Sequence, residues 1–248
     1  MQLINVNEIA IMPVRLVCNA GNSSIYLFFD IQLFTGSSTN THIAQRCYLH
    51  HSFTPMFELL HKKITAAVTI NKEEFDHFKT LFVPKKLRKR QYFLQEGDVC
   101  QYQAFVEKGI LRSYTVDEKG SEHILQFASE GWWMADLSSY LTNEPSFLNI
   151  DAVEDAELLL LSKPVWEQAM KEIPALEHYF RIIIQNHLVS TQKRLLQTFA
   201  ETAEEKYNRF LATFPECAQR VPQHMIASYL GVSRETLSRI RKHAAEQH

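Results

Sequence analysis

Nowhere does this chain of 248 residues hold the roughly 20 consecutive apolar residues of a membrane helix. The nearest run, "IYLFFDIQLF", is too short and is broken by Asp30. The amino terminus lacks the basic start, apolar stretch and small-residue cleavage site of a secretory signal, so the expected location is cytoplasmic. Cysteine is scarce: Cys18, Cys47, Cys100 and Cys217 form no CxxC and stand near no histidine pair at zinc spacing. They read as four free thiols of a reducing compartment, and the clustered cysteines of an iron–sulfur centre are missing. There is no GxSxG elbow, P-loop, HExxH or paired-carboxylate constellation. The expectation is therefore a non-enzyme without metal or cofactor. A net charge of -2 excludes a chain that is basic throughout, though not a local basic face.

What remains is a folded chain, with 46% hydrophobic and 22% charged residues, long enough for one large or two ordinary domains. Glycine is sparse, and four of the seven fall at Gly97, Gly109, Gly120 and Gly131, each within a polar turn. Between and after them lie short β-rich runs: "QYFLQ", "QAFVEK", "ILRSYTV", "EHILQF", "FLNIDAV" and "AELLLLS". Strands at this regular spacing predict a sandwich or small barrel over about residues 87–163.

Helical patterns flank the barrel. Two short helices are predicted between Met56 and Pro84, and Pro164 and Pro174 open two more. The longer, about Ala175 to Phe199, carries Leu176, Phe180, Ile183, His187, Thr191, Leu195 and Thr198 in one row. Ile184, Leu188, Leu195 and Phe199 form a second row beside it. So broad a stripe either crosses a domain or pairs with its own copy. Residues 203–214 are another amphipathic helix. Residues 1–55 show no persistent period; they read as an overlong start, with Met56 the alternative initiator, or as a small extra subdomain.

Near the carboxyl end, "QHMIASYL-GVS-RETLSRIRK" has two helical segments joined by a three-residue turn, a helix-turn-helix pattern. Gly231 suits the sharp turn, Ser233 is placed to cap the second helix, and Ala227 permits close approach. Leu237 and Ile240 face inward, leaving Arg234, Glu235, Ser238, Arg239 and Lys242 on other faces. Arginine can donate two bonds to guanine and glutamate can accept from cytosine, whereas lysine and serine more often hold phosphates. A plainer reading pairs Glu235 with Arg239, four residues on, as an exposed ion pair. From Gln219 onward Arg220, Arg234, Arg239, Arg241 and Lys242 are opposed only by Glu235 and Glu246.

This segment, with the β-rich region and long helix before it, resembles the Crp/Fnr superfamily of bacterial transcription regulators, from about Met56 to the end. "SRETLSRI" is the most specific piece. The resemblance implies an α+β chain: a cyclic-nucleotide-binding-type β-roll (jelly-roll) sensor domain, a long dimerisation helix and a carboxyl-terminal winged helix-turn-helix. The corresponding boundaries are 56–163, 164–200 and 201–248. It also implies that Arg234, Glu235 and Arg239 read bases, with Ser233 and Thr236 on the DNA backbone. The implied partners are double-stranded DNA with palindromic TGTGA-like half-sites, a second copy of the chain and RNA polymerase.

Members that bind cyclic AMP carry Gly-Glu and Arg-Ser pairs for the ribose and cyclic phosphate. Here Ala135-Asp136 and Ser146-Phe147 stand in those places. Without the arginine a cyclic phosphate loses its bidentate partner, and Asp136 adds negative charge. The effector expected is thus an unknown small molecule other than cyclic AMP, in a pocket involving Trp133, Asp136, Ser138, Ser146 and Phe147. Trp132, Trp133, Tyr140 and Phe147 either close the barrel core or stack on such a molecule. His123 or His187 could in principle bind a haem. Two alternatives remain: a cyclic-nucleotide-responsive regulator, and an interaction protein whose barrel docks a partner.

Overall fold

A computed structural model describes residues 15–18, 25–28 and 57–246. The chain divides into two units, Met1–Met56 and Phe57–His248. In the first, β1 (Arg15–Cys18) and β2 (Ile25–Phe28) pair antiparallel, Arg15 opposite Phe28. The expectations about an extension or a start at Met56, and Cys47, lie outside the described residues.

The second unit opens with α1 (Glu58–Thr65) and α2 (Lys72–Thr80). Asn71 and Glu74 form a capping box at the start of α2, each side chain satisfying the other's backbone amide. The strands follow: β3 (Val83–Leu87), β4 (Tyr92–Leu94), β5 (Tyr102–Lys108), β6 (Leu111–Val116), β7 (Glu122–Ala128) and β8 (Trp133–Met134). After a short α3 (Leu137–Thr142) come β9 (Asn149–Ala152) and β10 (Ala156–Ser162). They form two four-stranded sheets with orders β3-β10-β5-β8 and β4-β9-β6-β7, every pairing antiparallel.

The six predicted runs all contain strands, but β3 and β8 were not predicted. β8 has only two residues. β3 contains Pro84 and exposes four of its five side chains, which a sheet edge tolerates and an alternating pattern does not reveal. Leu87, Val106, Leu111, Ile150, Leu158 and Leu160 belong to one buried cluster with strands of both sheets. Leu159 and Leu161, pointing the opposite way along β10, are buried too, so the "LLLL" run is covered on both faces. At Gly109, between β5 and β6, φ is 92° and a Cβ would lie 2.6 Å from the Asp155 carbonyl oxygen. The hairpin therefore excludes any side chain there.

Glu107 on β5, which packs against α1, has a buried Oε1 with no hydrogen-bond partner. Burial, with a smaller contribution from Glu58, pushes its carboxyl up to about 7 despite a bond from the Leu60 backbone.

After the roll come α4 (Lys163–Glu172), with Pro164 in its first turn, and α5 (Pro174–Ala200). Leu176, Tyr179 and Phe180 are buried, Phe180 packing on Trp133 and Trp166 at centroid distances of 5.0 and 6.0 Å. Beyond that turn α5 leaves the core: Leu188, Leu195, Leu196 and Phe199 are 56, 61, 69 and 83% exposed. The carboxyl-terminal part comprises α6 (Ala203–Thr213), the single turn α7 (Cys217–Arg220), α8 (Gln223–Leu230) and α9 (Arg234–Glu246). Its described residues contain no strand, so the wing implied by the resemblance is absent from them. The turn α7 occupies the stretch between α6 and α8.

Candidate nucleic-acid interface

The turn between α8 and α9 is set by backbone bonds. Gly231 adopts φ 67°, and its amide caps α8 on the Ala227 and Ser228 carbonyls. The Val232 amide also donates to Ala227 at 3.0 Å. No atom lies within 4 Å of a Cβ built at Gly231, so the turn needs glycine for its conformation and not for space. Ser233 caps α9 as predicted: its hydroxyl accepts from the Thr236 amide and donates to the Thr236 hydroxyl, both at 3.1 Å.

Leu237 is fully buried and Ile240 partly so, in one cluster with Tyr207 and Phe210 of α6 and Ile226, Ala227 and Leu230 of α8. Arg234, Glu235, Ser238, Arg239 and Lys242 are exposed, with Thr236 intermediate. One face of α9 is thus locked and the other presents polar side chains. The Glu235 carboxyl is held below its usual range by its own backbone amide, the Ser233 hydroxyl and the charge of Arg234. It turns towards the start of α9, and no Glu235–Arg239 ion pair forms. Neither Arg234 nor Arg239 has an acidic partner within salt-bridge distance among the described residues.

This helical unit is tied to the roll. Ser228 on α8 accepts from the Ile124 amide at 3.0 Å and donates to the Glu122 carbonyl at 2.6 Å. It thereby satisfies backbone groups of β7, the edge strand of its sheet. Phe127 packs against Phe210 and Tyr229, and Trp132 against Phe214 at 5.4 Å. Arg220, one of the basic residues expected to favour DNA, is instead clasped by Glu130 at 2.7 and 2.9 Å, by Glu154, and by Glu216 at 3.3 Å. Those hydrogen bonds raise its pKa further, and its charge serves the junction with the roll. Arg194 of α5 donates to the Leu125 carbonyl and lies over the Tyr229 ring.

The five residues expected to line an effector pocket do not come together. Asp136 is buried and caps α3: one oxygen accepts from the Ser138 and Ser139 amides, the other from the Ser146 hydroxyl at 2.6 Å. Its carboxylate, Ser146 and the backbone of Ser138 therefore form one closed network. Trp133 lies elsewhere, between Phe105 and Phe180, with its indole N–H on Tyr179. Phe147 is 80% exposed. The aromatic stretch is likewise dispersed, since only Tyr140 is in the roll interior and Trp132 faces Phe214. A groove of about 640 Å³ lies instead between α4 and α5, lined by Trp166, Met170, Phe180 and Ile184. His123 is engaged by Asp117 at 2.9 Å, and burial lowers the pKa of His187. Cys100 and Cys217 are buried free thiols in separate clusters, the latter pushed up to about 11 by burial.

A search for positive charge confined to the carboxyl end misses the densest basic run of the chain, "KKLRKR" at residues 85–90. It occupies β3 and the turn before β4, and every residue in it except Leu87 is exposed. Composition alone could have found it.

Residues 84–172 match the cyclic nucleotide-binding domain family. The chain is 24% identical over 184 residues to the anaerobic regulatory protein of Aggregatibacter actinomycetemcomitans, covering 69% of this chain and 71% of that one. It is equally identical to the fumarate and nitrate reduction regulatory protein of Vibrio cholerae, covering 69% and 73%. Among solved structures, FixK2 from Bradyrhizobium japonicum superposes with a TM-score of 0.59 at 20% identity over 67% of this chain and 85% of that one. The c-di-GMP responsive regulator CLP of Xanthomonas campestris gives 0.58 at 14% identity over 71% and 93%. In these matches, and in its order of roll, long helix and helix-turn-helix, the chain is similar to transcription regulators of the Crp/Fnr type.

Proposed function

We propose that the protein is a sequence-specific DNA-binding transcription regulator, acting in the cytoplasm as a homodimer without enzymatic activity of its own. One observation carries this reading: α9 is locked by Leu237 on one face while Arg234, Glu235 and Arg239 stand exposed on the other. Side chains near the amino end of such a helix reach base edges in the major groove, where arginine discriminates guanine. Ser233, Thr236, Ser238 and Lys242 are assigned to the DNA backbone. The expected target is a palindrome with TGTGA-like half-sites, and RNA polymerase is the partner through which binding would alter transcription.

Dimerisation is assigned to residues 164–200. The exposed row Leu188, Leu195 and Phe199 is an apolar face that water disfavours, and a second α5 would cover it. The roll, within residues 56–163, is the sensing part, and residues 201–248 bind DNA. Against a cyclic nucleotide as effector stands the Asp136–Ser146 pair: the buried polar groups there already satisfy one another, and a carboxylate repels an incoming phosphate.

Gel shifts on genomic fragments over increasing salt test the DNA reading, because binding through phosphates weakens steeply with salt. Shifted fragments at low salt that are released as salt rises are expected. Failure of every fragment to shift at low salt sinks the reading. Calorimetric titration with cyclic AMP and cyclic GMP should show no heat, and micromolar binding would overturn the assignment of the effector.

A further inference from the structure

We propose that Arg194 of α5 is a positioning residue: it ties the helix that pairs two copies to the unit that reads DNA, and so fixes the separation at which two α9 helices meet their half-sites. This rests on the dimeric DNA-binding reading above and assigns the coupling within it to one side chain.

Helix α5 leaves the roll after Ile183. From Ile184 to Ala200 every residue is exposed except Arg194 and Gln197, which are half-buried. The backbone that follows does not fix a direction by itself. Glu201 and Thr202 are both extended, with ψ 145° and 163°, so α5 and α6 are separate helices with a break between them. Lys206 crosses that break to the Thr198 carbonyl at 3.2 Å, and Arg209 binds Glu201. Those contacts hold α6 against the end of α5 and go no further.

Arg194 makes the wider connection. Its Nη1 donates to the Leu125 carbonyl of β7, and its guanidinium lies over the Tyr229 ring of α8, 5.1 Å from the centroid. A guanidinium at that distance is attracted by the ring face, the more so where water is kept out. Tyr229 is itself wedged among rings, 5.4 Å from Phe127 of β7, 5.6 Å from Phe210 and 6.0 Å from Phe214. It stands two residues before the Gly231 turn, so what holds its ring also holds the entry to α9. The adjacent Ser228 bonds the Ile124 amide and the Glu122 carbonyl. Neighbouring residues of the edge strand β7, Ile124 and Leu125, are therefore bonded one by the reading unit and the other by the pairing helix. Arg194 enters no salt bridge among the described residues, so no carboxylate competes for its guanidinium.

In a two-fold pair any displacement of the reading unit relative to α5 is doubled across the axis. Moving each α9 by about 1.7 Å changes their separation by about 3.4 Å, the rise of one base pair. A joint that holds β7, α8 and α5 together at one guanidinium is placed to prevent that.

The test selects duplexes from a random pool with the wild type, R194M and R194K, and measures the sedimentation of each protein. R194M keeps the apolar stem and removes the guanidinium, whereas R194K keeps a charged donor. The wild type should enrich two half-sites at one separation. R194M should remain a dimer and enrich the same half-site sequence, with separations spread over at least two values. Its affinity for the wild-type duplex, read by fluorescence anisotropy, should fall about tenfold, while on a duplex with one half-site it stays within about twofold of the wild type. A general loss of charge or of folding would weaken both duplexes alike. R194K should return towards the single separation. A single separation in R194M, an equal loss on the lone half-site, a monomeric R194M or an R194K no different from R194M overturns the proposal and leaves the regulator reading standing. A wild-type pool with no enriched motif fails that reading first, and the proposal with it.

Discussion

Glu107 holds a carboxyl whose pKa of about 7 lies above the ordinary 4.5, because folding places it against α1. Between those values the folded chain binds a proton that the unfolded chain has released, so stability falls as pH rises through that window. Glu107→Gln removes the effect: in scanning calorimetry the variant should gain on the wild type as pH goes from 5 to 8, and a constant difference would count against it. On α9, Arg234→Ala and Arg239→Ala should each cost about 1–3 kcal/mol on a preferred site and relax one base position. Lys242→Ala should weaken all duplexes alike. Equal losses on preferred and random DNA for all three would contradict those roles. Residue identity was legible on α9 because capping, burial and exposure there follow from spacing alone: Ser233 bonds Thr236 and Leu237 is buried, as predicted. It was poorly legible around Asp136. Trp133 and Phe147 lie close to it in sequence, yet the strand and turns send them to different surfaces.

Among the elements, those with a strong period or a capping signal were readable. Helix α6 begins at the Thr202–Glu205 capping box and α5 runs from Pro174 to Ala200, close to the predicted limits. β3 was not readable, since a proline and four exposed side chains give no alternation, and with it the basic turn that follows was overlooked. The wing, which has no strand among the described residues, was implied by the resemblance and by no alternating run of the sequence. Helix α5 supports a prediction of its own. Its distal apolar residues pack on no core, so replacing Leu188, Leu195 and Phe199 with glutamine should leave the fold intact and shift sedimentation towards the monomer. A triple variant that stays dimeric removes α5 as the pairing element.

For the whole molecule, the junction between roll and helix-turn-helix is the feature that sequence periodicity could not supply. A single core joins Ile110, Ile124 and Phe127 of the roll to Phe210, Phe214 and Ile226 of the helices, across roughly a hundred residues of chain. Such long-range pairing leaves no local pattern. Arg220 shows this well: by composition it is one more DNA-facing cation, whereas in the fold Glu130 and Glu154 hold it at the junction. Arg220→Ala should therefore speed hydrogen exchange of the β7 and α8 amides while sparing the roll interior; unchanged exchange at β7 would mean that the clasp contributes little. On the proposed reading, regulation depends on α9 reading DNA as one of a two-fold pair. The most direct measurement is sequencing of duplexes that the protein selects from a random pool, alongside R234A/R239A. The wild type should enrich a two-fold palindrome with half-sites about one helical turn, roughly 34 Å, apart, and the variant should lose it. A pool with no enriched palindrome, or the same motif from both proteins, would contradict that dependence.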